Sequence, residues 1–470
     1  MTRSLLLLAL LLTACVEPAA EEEPPPVEPQ ALPTVQGLQP SVDLDPSDDV
    51  AEYAMTVREG SVELVAGQMV EAFTYDGMSP GPLLQVRRGQ LMRVHVTNDL
   101  DEPTTVHWHG LRIDVAMDGV VMGNIPAIAP GDTFVYEFTP PDAGTFWFHP
   151  HVRSNVQVEA GLYGALVVHE DAALAPSVDA DRIFVLDDVL LEDGVIAEES
   201  SNHMVQMHGR FGNTLLVNGQ EDPLSIDLRP DGVERWRLVN TANARTMVFR
   251  FPGLSVREVG ADGGLWPQEW TRSIDELTLP VGARAELEVR LDGDEGSLEQ
   301  VVLALDANND VIEVPVDRAL VTLDGDAAAS DASGFTADPP MALPDVDGAD
   351  EHVLAVSAVN GADGVTWMLN GRAWPEASDW VVDQNVPVII EVQNDLGPEH
   401  PFHVHGQFFS VLERDGAPAD ERGLRDTVLV RGGTTVRIAT DFSNPGTWMV
   451  HCHILEHAER GMMTTVEVVP

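Results

Sequence analysis

An all-β chain made of three related sandwiches is what this sequence predicts, and three observations carry the expectation. The first is texture. Short runs rich in Val, Leu, Ile and Thr, such as Leu91–Val96 and Val388–Val392, alternate with Gly, Pro, Asn and Asp at the spacing of sandwich strands, and no long helical periodicity interrupts them. The second is a repeat. Asn98, Asn240 and Asn394 each stand nine residues before a matching position. These positions are His107 in Val106-His107-Trp108-His109-Gly110, Phe249 in Val248-Phe249-Arg250-Phe251, and His403 in Phe402-His403-Val404-His405-Gly406. A turn dipeptide lies upstream of each: Asp76-Gly77, Asn218-Gly219 and Asn370-Gly371. The third is an echo between the outer copies only. Gly144-Thr145-Phe146-Trp147-Phe148-His149-Pro150-His151 matches Gly446-Thr447-Trp448-Met449-Val450-His451-Cys452-His453 in length and in histidine placement.

In chain order, residues 1–14 read as an export signal: a basic start at Arg3, an apolar run from Leu5 to Leu12, too short to span a membrane, then Thr13-Ala14. Leu12-Thr13-Ala14-Cys15 resembles the lipobox of bacterial lipoproteins, which makes Cys15 the expected lipidated first residue; an ordinary secretory cut, for instance after Ala20, is the alternative. Residues 15–50, with Glu21-Glu22-Glu23-Pro24-Pro25-Pro26, are expected to be a disordered tether. The three copies then occupy 51–170, 178–325 and 345–470, with an Ala/Asp/Gly/Pro-rich linker over 326–344. The middle copy has Phe249 and Phe251 where the others have histidine, so it is expected to pack and space rather than to bind metal.

The 470 residues carry 77 acidic against 26 basic side chains, a formal net charge of −51. Such a surface repels nucleic acid and argues against phosphate binding; it suits solubility in a salty or outside-facing compartment, with a cation-attracting surface as the alternative, and identifies no partner.

Only two cysteines are present, Cys15 and Cys452, so the folded body cannot form an internal disulfide. Cys452 sits in His451-Cys452-His453-Ile454-Leu455-Glu456-His457-Ala458-Glu459-Arg460-Gly461-Met462. Ten of the 15 histidines fall in four clusters: His107/His109, His149/His151, His400/His403/His405 and His451/His453/His457. On a strand, residues two apart face the same way. Each His-x-His pair is therefore expected to reach into one site, two pairs from the first copy and two from the third, at the interface between them. Eight imidazoles are too many for one ion and about right for three. Cys452 must face the other way, toward His400, His457 and Met462, a set with the thiolate, two imidazoles and distant thioether of an electron-transfer copper site.

The four clusters, in order over about 50–470, resemble the four copper-binding motifs of the multicopper oxidases, here of the three-domain bacterial laccase-like or cuprous oxidase kind. That resemblance implies three cupredoxin-like Greek-key β-sandwich domains and four copper ions. The type 1 ion would take His400, Cys452, His457 and axial Met462, and the type 2 ion His107 and His403. The type 3 pair would take His109, His149 and His453 on one ion and His151, His405 and His451 on the other. It further implies single electrons collected at Cys452 and His457 from a phenolic, aromatic or metal-ion reductant, with O2 reduced to water at the trinuclear site. Asp118 matches the family's acidic residue near that cluster, with a role in proton supply; its plainer reading is a turn residue before Gly119. Ala458 departs from the pattern, since many relatives have an acidic residue there. The expected enzyme is a monomer exported to the cell envelope, facing periplasm or exterior, and held to the membrane only through Cys15.

A cuprous oxidase acting in copper tolerance is the alternative. Copper nitrite reductase fits less well, because Pro150 stands where such relatives place the type 1 cysteine, and a ligand-free envelope scaffold conflicts with the complete ligand set. His95, His169, His203, His208 and His352 are expected to be ordinary surface or core residues. Met204 and Met207 are expected to pack, although between His203 and His208 they also offer a place for a cuprous ion. The stretch Trp367–Trp380 is expected to be core or domain interface.

Overall fold

The computed structural model describes residues 32–470, apart from 46, 48, 123–124, 198–200, 306–310 and 378–379. The predicted signal peptide, Cys15 and the first half of the tether lie outside the described residues. The rest of that tether is a correction to the sequence reading: Val35–Gln36 pairs in parallel with Asp181–Arg182, and the Ser41 N–H donates to the Leu83 carbonyl at 2.8 Å. Val35 is buried among Leu83, Ile183 and Val185, and this apolar anchor holds the segment onto the body.

The strands form three two-sheet sandwiches. In the first, Gln68–Tyr75, Val50–Val65, Leu91–Asn98 and Thr133–Phe138 form one sheet, and Leu84–Arg87, Gly164–His169, Gly144–His149 and His107–His109 the other. In the third, one sheet is built around Asp350–Gly361, Pro387–Asn394 and Thr434–Asp441. Its other sheet runs Trp380–Asp383, Met463–Val469, Gly446–Cys452, His400–Val404 and Thr427–Val430. The second pairs a large sheet containing Ala180–Val189, Glu234–Asn240, Arg284–Leu291 and Leu254–Ala261 with a smaller one containing Met247–Arg250. Each sandwich has its own apolar core. A further cluster, from Trp147 through Tyr163 and Val239 to Leu455, joins all three. The stretch 326–344 carries no strand, only an isolated bridge from Gly334 to Ser177.

The repeated asparagines do the same work three times. The side-chain oxygen accepts the N–H two residues on: Leu100 for Asn98 (3.0 Å), Ala242 for Asn240 (3.1 Å) and Leu396 for Asn394 (3.0 Å). The amide nitrogen donates to a carbonyl four or five residues on (Glu102, Arg245, Pro398) and to a distant one (Ile128, Leu279, Val430). All three asparagines are fully buried, so each corner is pinned by bonds whose loss would leave buried backbone groups unpaired. The nine residues after the corner carry the chain to the strand that bears His107, Phe249 or His403. The turn dipeptides repeat as well. Asp76, Asn218 and Asn370 have φ of 55°, 51° and 52°, and the glycine after each is also left-handed, as a two-residue hairpin turn requires.

Candidate metal centres

Two sheets, one from each outer sandwich, face each other with their histidines. In the first, His107 lies opposite His149 across the pairing of His107–His109 with Gly144–His149; in the third, His403 lies opposite His451. Strand alternation accounts for only part of this. His107 and His109 share a strand, but the other strands end at His149, Val404 and Cys452, so His151, His405 and His453 sit just past them. Three of the four intervening residues enter a core: Trp108 the first, Val404 and Cys452 the third.

The eight imidazoles converge. Metal-binding atoms of His107, His109 and His149 lie within 4.8 Å of one another, as do those of His107, His403 and His405, and those of His151, His405 and His451. His453 joins none of these groups among the described residues, yet its ring centre is 5.1 Å from that of His109 and 5.4 Å from that of His149.

Hydrogen bonding sorts the ring nitrogens. A ring nitrogen facing a carbonyl oxygen must be the protonated one, which leaves its partner as a bare lone pair. His107 Nδ1 donates to the Asp118 carbonyl (2.7 Å), His149 Nδ1 to Pro150 (3.0 Å), His403 Nδ1 to Asp426 (2.9 Å) and His451 Nδ1 to Cys452 (2.9 Å). His109 is reversed, with Nε2 3.2 Å from an Asp426 carboxylate oxygen. The nitrogens left over, Nε2 of His107, His149 and His403, Nδ1 of His109 and both of His453, are buried without a hydrogen-bond partner. Nε2 of His405 and His451 face each other at 2.9 Å. Burial holds His109, His149, His151, His405 and His453 well below the ordinary histidine range, so these rings are neutral. Buried lone pairs aimed at a common space are costly without a cation, and neutral imidazoles of this number suit copper.

Asp118 is buried and takes part in the cluster rather than only in a turn. Its carboxylate accepts His405 Nδ1 at 2.9 Å while its backbone oxygen holds His107, and its other carboxylate oxygen has no hydrogen bond. Gly119 makes this approach possible: at φ +78°, a Cβ there would meet the Val106 carbonyl oxygen at 1.8 Å.

The second centre lies inside the third sandwich. Cys452 Sγ is 3.6 Å from His400 Nδ1 and 3.7 Å from His457 Nδ1, and the two nitrogens are 3.1 Å apart. Met462 is fully buried in the same cluster, its carbonyl accepting the Cys452 N–H at 3.2 Å. Burial pushes the Cys452 thiol up, so only a bound cation would make the thiolate the stable form. His457 Nε2 donates to the Met207 carbonyl at 3.2 Å, which turns Nδ1 inward. Trp367 covers both rings, its centre 4.2 Å from that of His457 and 5.0 Å from that of His400, and its indole N–H bonds Gln206 O. That tryptophan is core, as expected.

Other expectations divide. His95 pairs with Glu52, His169 bonds Gln85, and His352 stacks on Trp380. Met207 packs against the third core, but Met204 does not pack: it is 60% exposed on the short helix His203–His208. Ala458 is buried in a small apolar cluster with Val120, Met449 and Met463.

Sequence reasoning missed Asp426, Thr427 and Arg284. Asp426 contacts His109 with its side chain and His403 with its backbone, and the Thr427 hydroxyl is 3.4 Å from a nitrogen of each. Although the Asp426 carboxylate comes within ligand distance of His109 and His403, a double hydrogen bond from Arg284 occupies both its oxygens, at 2.7 and 2.6 Å. The only signal was an acidic residue immediately before the apolar run Thr427–Val430.

Two family models described as multicopper oxidase match residues 56–173 and 341–470. The chain is 29% identical over 441 residues to multicopper oxidase mco of Staphylococcus aureus, covering 90% of this chain and 91% of that protein. Among solved structures, a Campylobacter jejuni multicopper oxidase described as a metallo-oxidase is 26% identical, with a TM-score of 0.78 over 92% of this chain and 94% of that one. A laccase-like multicopper oxidase of Ochrobactrum sp., with oxidase activity towards lignin model compounds, is also 26% identical, with a TM-score of 0.78 over 92% of this chain and 99% of that one.

Proposed function

The chain belongs to the multicopper oxidase family and is a copper-dependent oxidoreductase; from that premise we propose that it takes single electrons from a small reductant at the Cys452 site and reduces O2 to two waters at the histidine cluster, with four copper ions per chain. His400, Cys452, His457 and Met462 hold the type 1 ion, and His107 and His403 the type 2 ion. His109, His149 and His453 hold one type 3 ion, and His151, His405 and His451 the other. Bound copper supplies the one-electron steps that no side chain here provides.

One observation carries this reading: buried imidazole nitrogens without partners gather beside a buried Cys/His/His set, and the two sets are joined by consecutive residues. His451, Cys452 and His453 form a covalent path only one residue long between them. Reduction of O2 to two waters consumes four electrons and four protons. Asp118, with one carboxylate oxygen 3.3 Å from His107 Nδ1 and the other 2.9 Å from His405 Nδ1, orients both rings and is placed to hold a water for this step. The reductant docks over the helix His203–His208, whose Met207 carbonyl touches the outer edge of His457.

The reductant is a phenol or another aromatic, or a metal ion. Similarity does not choose, because a metallo-oxidase and a laccase-like enzyme are equally close. The exposed Met204 beside His203 and His208 favours a cuprous ion as the second reading, with a role in copper tolerance. The lipobox-like sequence supports an exported lipoprotein anchored through Cys15 at the cell envelope. Oxygen-electrode turnover of the copper-loaded protein with phenol, ferrous and cuprous panels tests the reading. Cys452→Ser should abolish the blue colour and oxygen uptake together; oxidase activity surviving that change would refute it.

A further inference from the structure

The second sandwich contributes no histidine to either centre, yet its side chains reach the cluster. Arg284 opens the strand Arg284–Leu291 and is fully buried. Its two terminal nitrogens bond the two carboxylate oxygens of Asp426 in the third sandwich, at 2.7 and 2.6 Å, and its Nε bonds the Thr145 carbonyl of the first at 2.9 Å. Asp262, also fully buried and also of the second sandwich, seats both partners. One of its oxygens accepts the Arg284 backbone N–H at 2.6 Å, and the other accepts those of Asp426 and Thr427 at 3.1 and 3.3 Å. Held in this way, Asp426 points one oxygen at His109 Nε2 and its backbone carbonyl at His403 Nδ1. Space is reserved for the arrangement: at Gly110, beside His109, a Cβ would lie 2.3 Å from an Arg284 nitrogen and 2.5 Å from an Asp426 oxygen.

We propose that Arg284 and Asp262 are positioning residues for the trinuclear site, acting through Asp426 to fix which nitrogen His109 turns inward and where His403 stands. Without the guanidinium fork, Asp426 can rotate, and His109 loses the acceptor that keeps the proton on Nε2 and Nδ1 bare. A lysine cannot replace the fork, because it presents one donor point instead of two parallel N–H groups. The chain of contacts spans all three sandwiches, so the ligand-free middle one sets the geometry of a site to which it gives no ligand. The inference rests on the copper reading above, and its failure is separable from failure of that reading, because the type 1 band reports on the other centre.

The test is Arg284→Lys and Asp262→Asn in the full chain, measured as copper per folded molecule, the type 1 visible band and the electron paramagnetic resonance signal of the type 2 ion. The expected result is an unchanged type 1 band with cluster affinity for copper at least about tenfold weaker, the usual size for an outer-shell partner, and an altered type 2 signal. Folded variants with parental copper content and an unchanged type 2 signal would overturn the proposal. If Arg284→Lys does not fold, Asp426→Asn carries the same test, since it keeps the shape and removes the charge; a parental type 2 signal and affinity there would overturn the proposal equally.

Discussion

Glu159 is a carboxyl group at the junction of the three sandwiches, and it should make stability fall with rising pH. It is 8% exposed, accepts the Leu190 N–H at 3.2 Å and the Asn243 side-chain N–H at 3.0 Å, and through Asn243 connects to Glu456, the neighbour of His457. Burial, chiefly, with repulsion from Glu456 and Asp188, pushes it up to about 8 against the pull of Arg210; Tyr163 and Asp187 complete the surrounding group. A carboxyl whose folded pKa lies above its unfolded value of 4.5 binds a proton on folding, so its contribution is full below 4.5 and is lost as pH rises through about 8. The whole shift is worth at most about 5 kcal/mol at about 1.4 kcal/mol per unit. The value of about 8 already includes the opposing pull of Arg210 and the Leu190 N–H, and between pH 5 and pH 9 the linkage amounts to about 4 kcal/mol. With an unfolding entropy of about 2.1 cal/mol/K per residue, roughly 0.9 kcal/mol/K for a body of this size, that is about 4 °C in Tm. Glu159→Gln keeps the volume and removes the titration. Its Tm relative to the parent should therefore rise by about 4 °C between pH 5 and pH 9 in scanning calorimetry. Parallel Tm curves for the two proteins across that range would refute the argument.

Three further outcomes follow from the geometry. Gly119→Ala places a Cβ 1.8 Å from the Val106 carbonyl oxygen at φ +78°, and should cost about 3 kcal/mol or more while disturbing copper content, since Asp118 and His107 flank the clash; calorimetry with metal analysis checks both. Asn240→Ala removes a three-bond corner and should cost about 2–4 kcal/mol while leaving the type 1 band unchanged; because Asn240 also bonds Gly282 and Ala283, next to Arg284, any change at the metal centres should appear in the type 2 signal. Removing copper by chelation should lower stability by about 3 kcal/mol for each site held at a hundredfold excess over its Kd, read as a Tm that recovers on adding copper back.

The sequence was most legible where chemistry demands particular residue types at short range. The His-x-His pairs, Cys452, and the nine-residue spacing after Asn98, Asn240 and Asn394 all lie within a few residues of what they organise. Asn240 is telling, because its corner persists where Phe249 replaces the ligand, so the spacing belongs to the fold and not to the metal. Strand alternation was the weaker tool: it turned Cys452 toward His400 and His457, but His151, His405 and His453 stand beyond their strands and converge through turns that periodicity does not describe. Asp426 and Arg284 were illegible for a different reason. They are 142 residues apart and become partners only when the second and third sandwiches dock, and nothing local marks an arginine as the fully buried member of such a pair. Met204 reversed its expectation because a short helix at a domain border has too little neighbouring surface to bury every apolar side chain it carries.

The asparagine corners also bear on how the enzyme is loaded. Their bonds are complete in the copy that carries Phe249 in place of a histidine, so the strands carrying His107 and His403 are placed by the chain alone. Metal then meets a site already assembled, and its capture becomes a question of passage through a closed body rather than of folding around an ion. Incorporation should therefore show no refolding phase, and apoprotein stored without metal should remain competent to receive it.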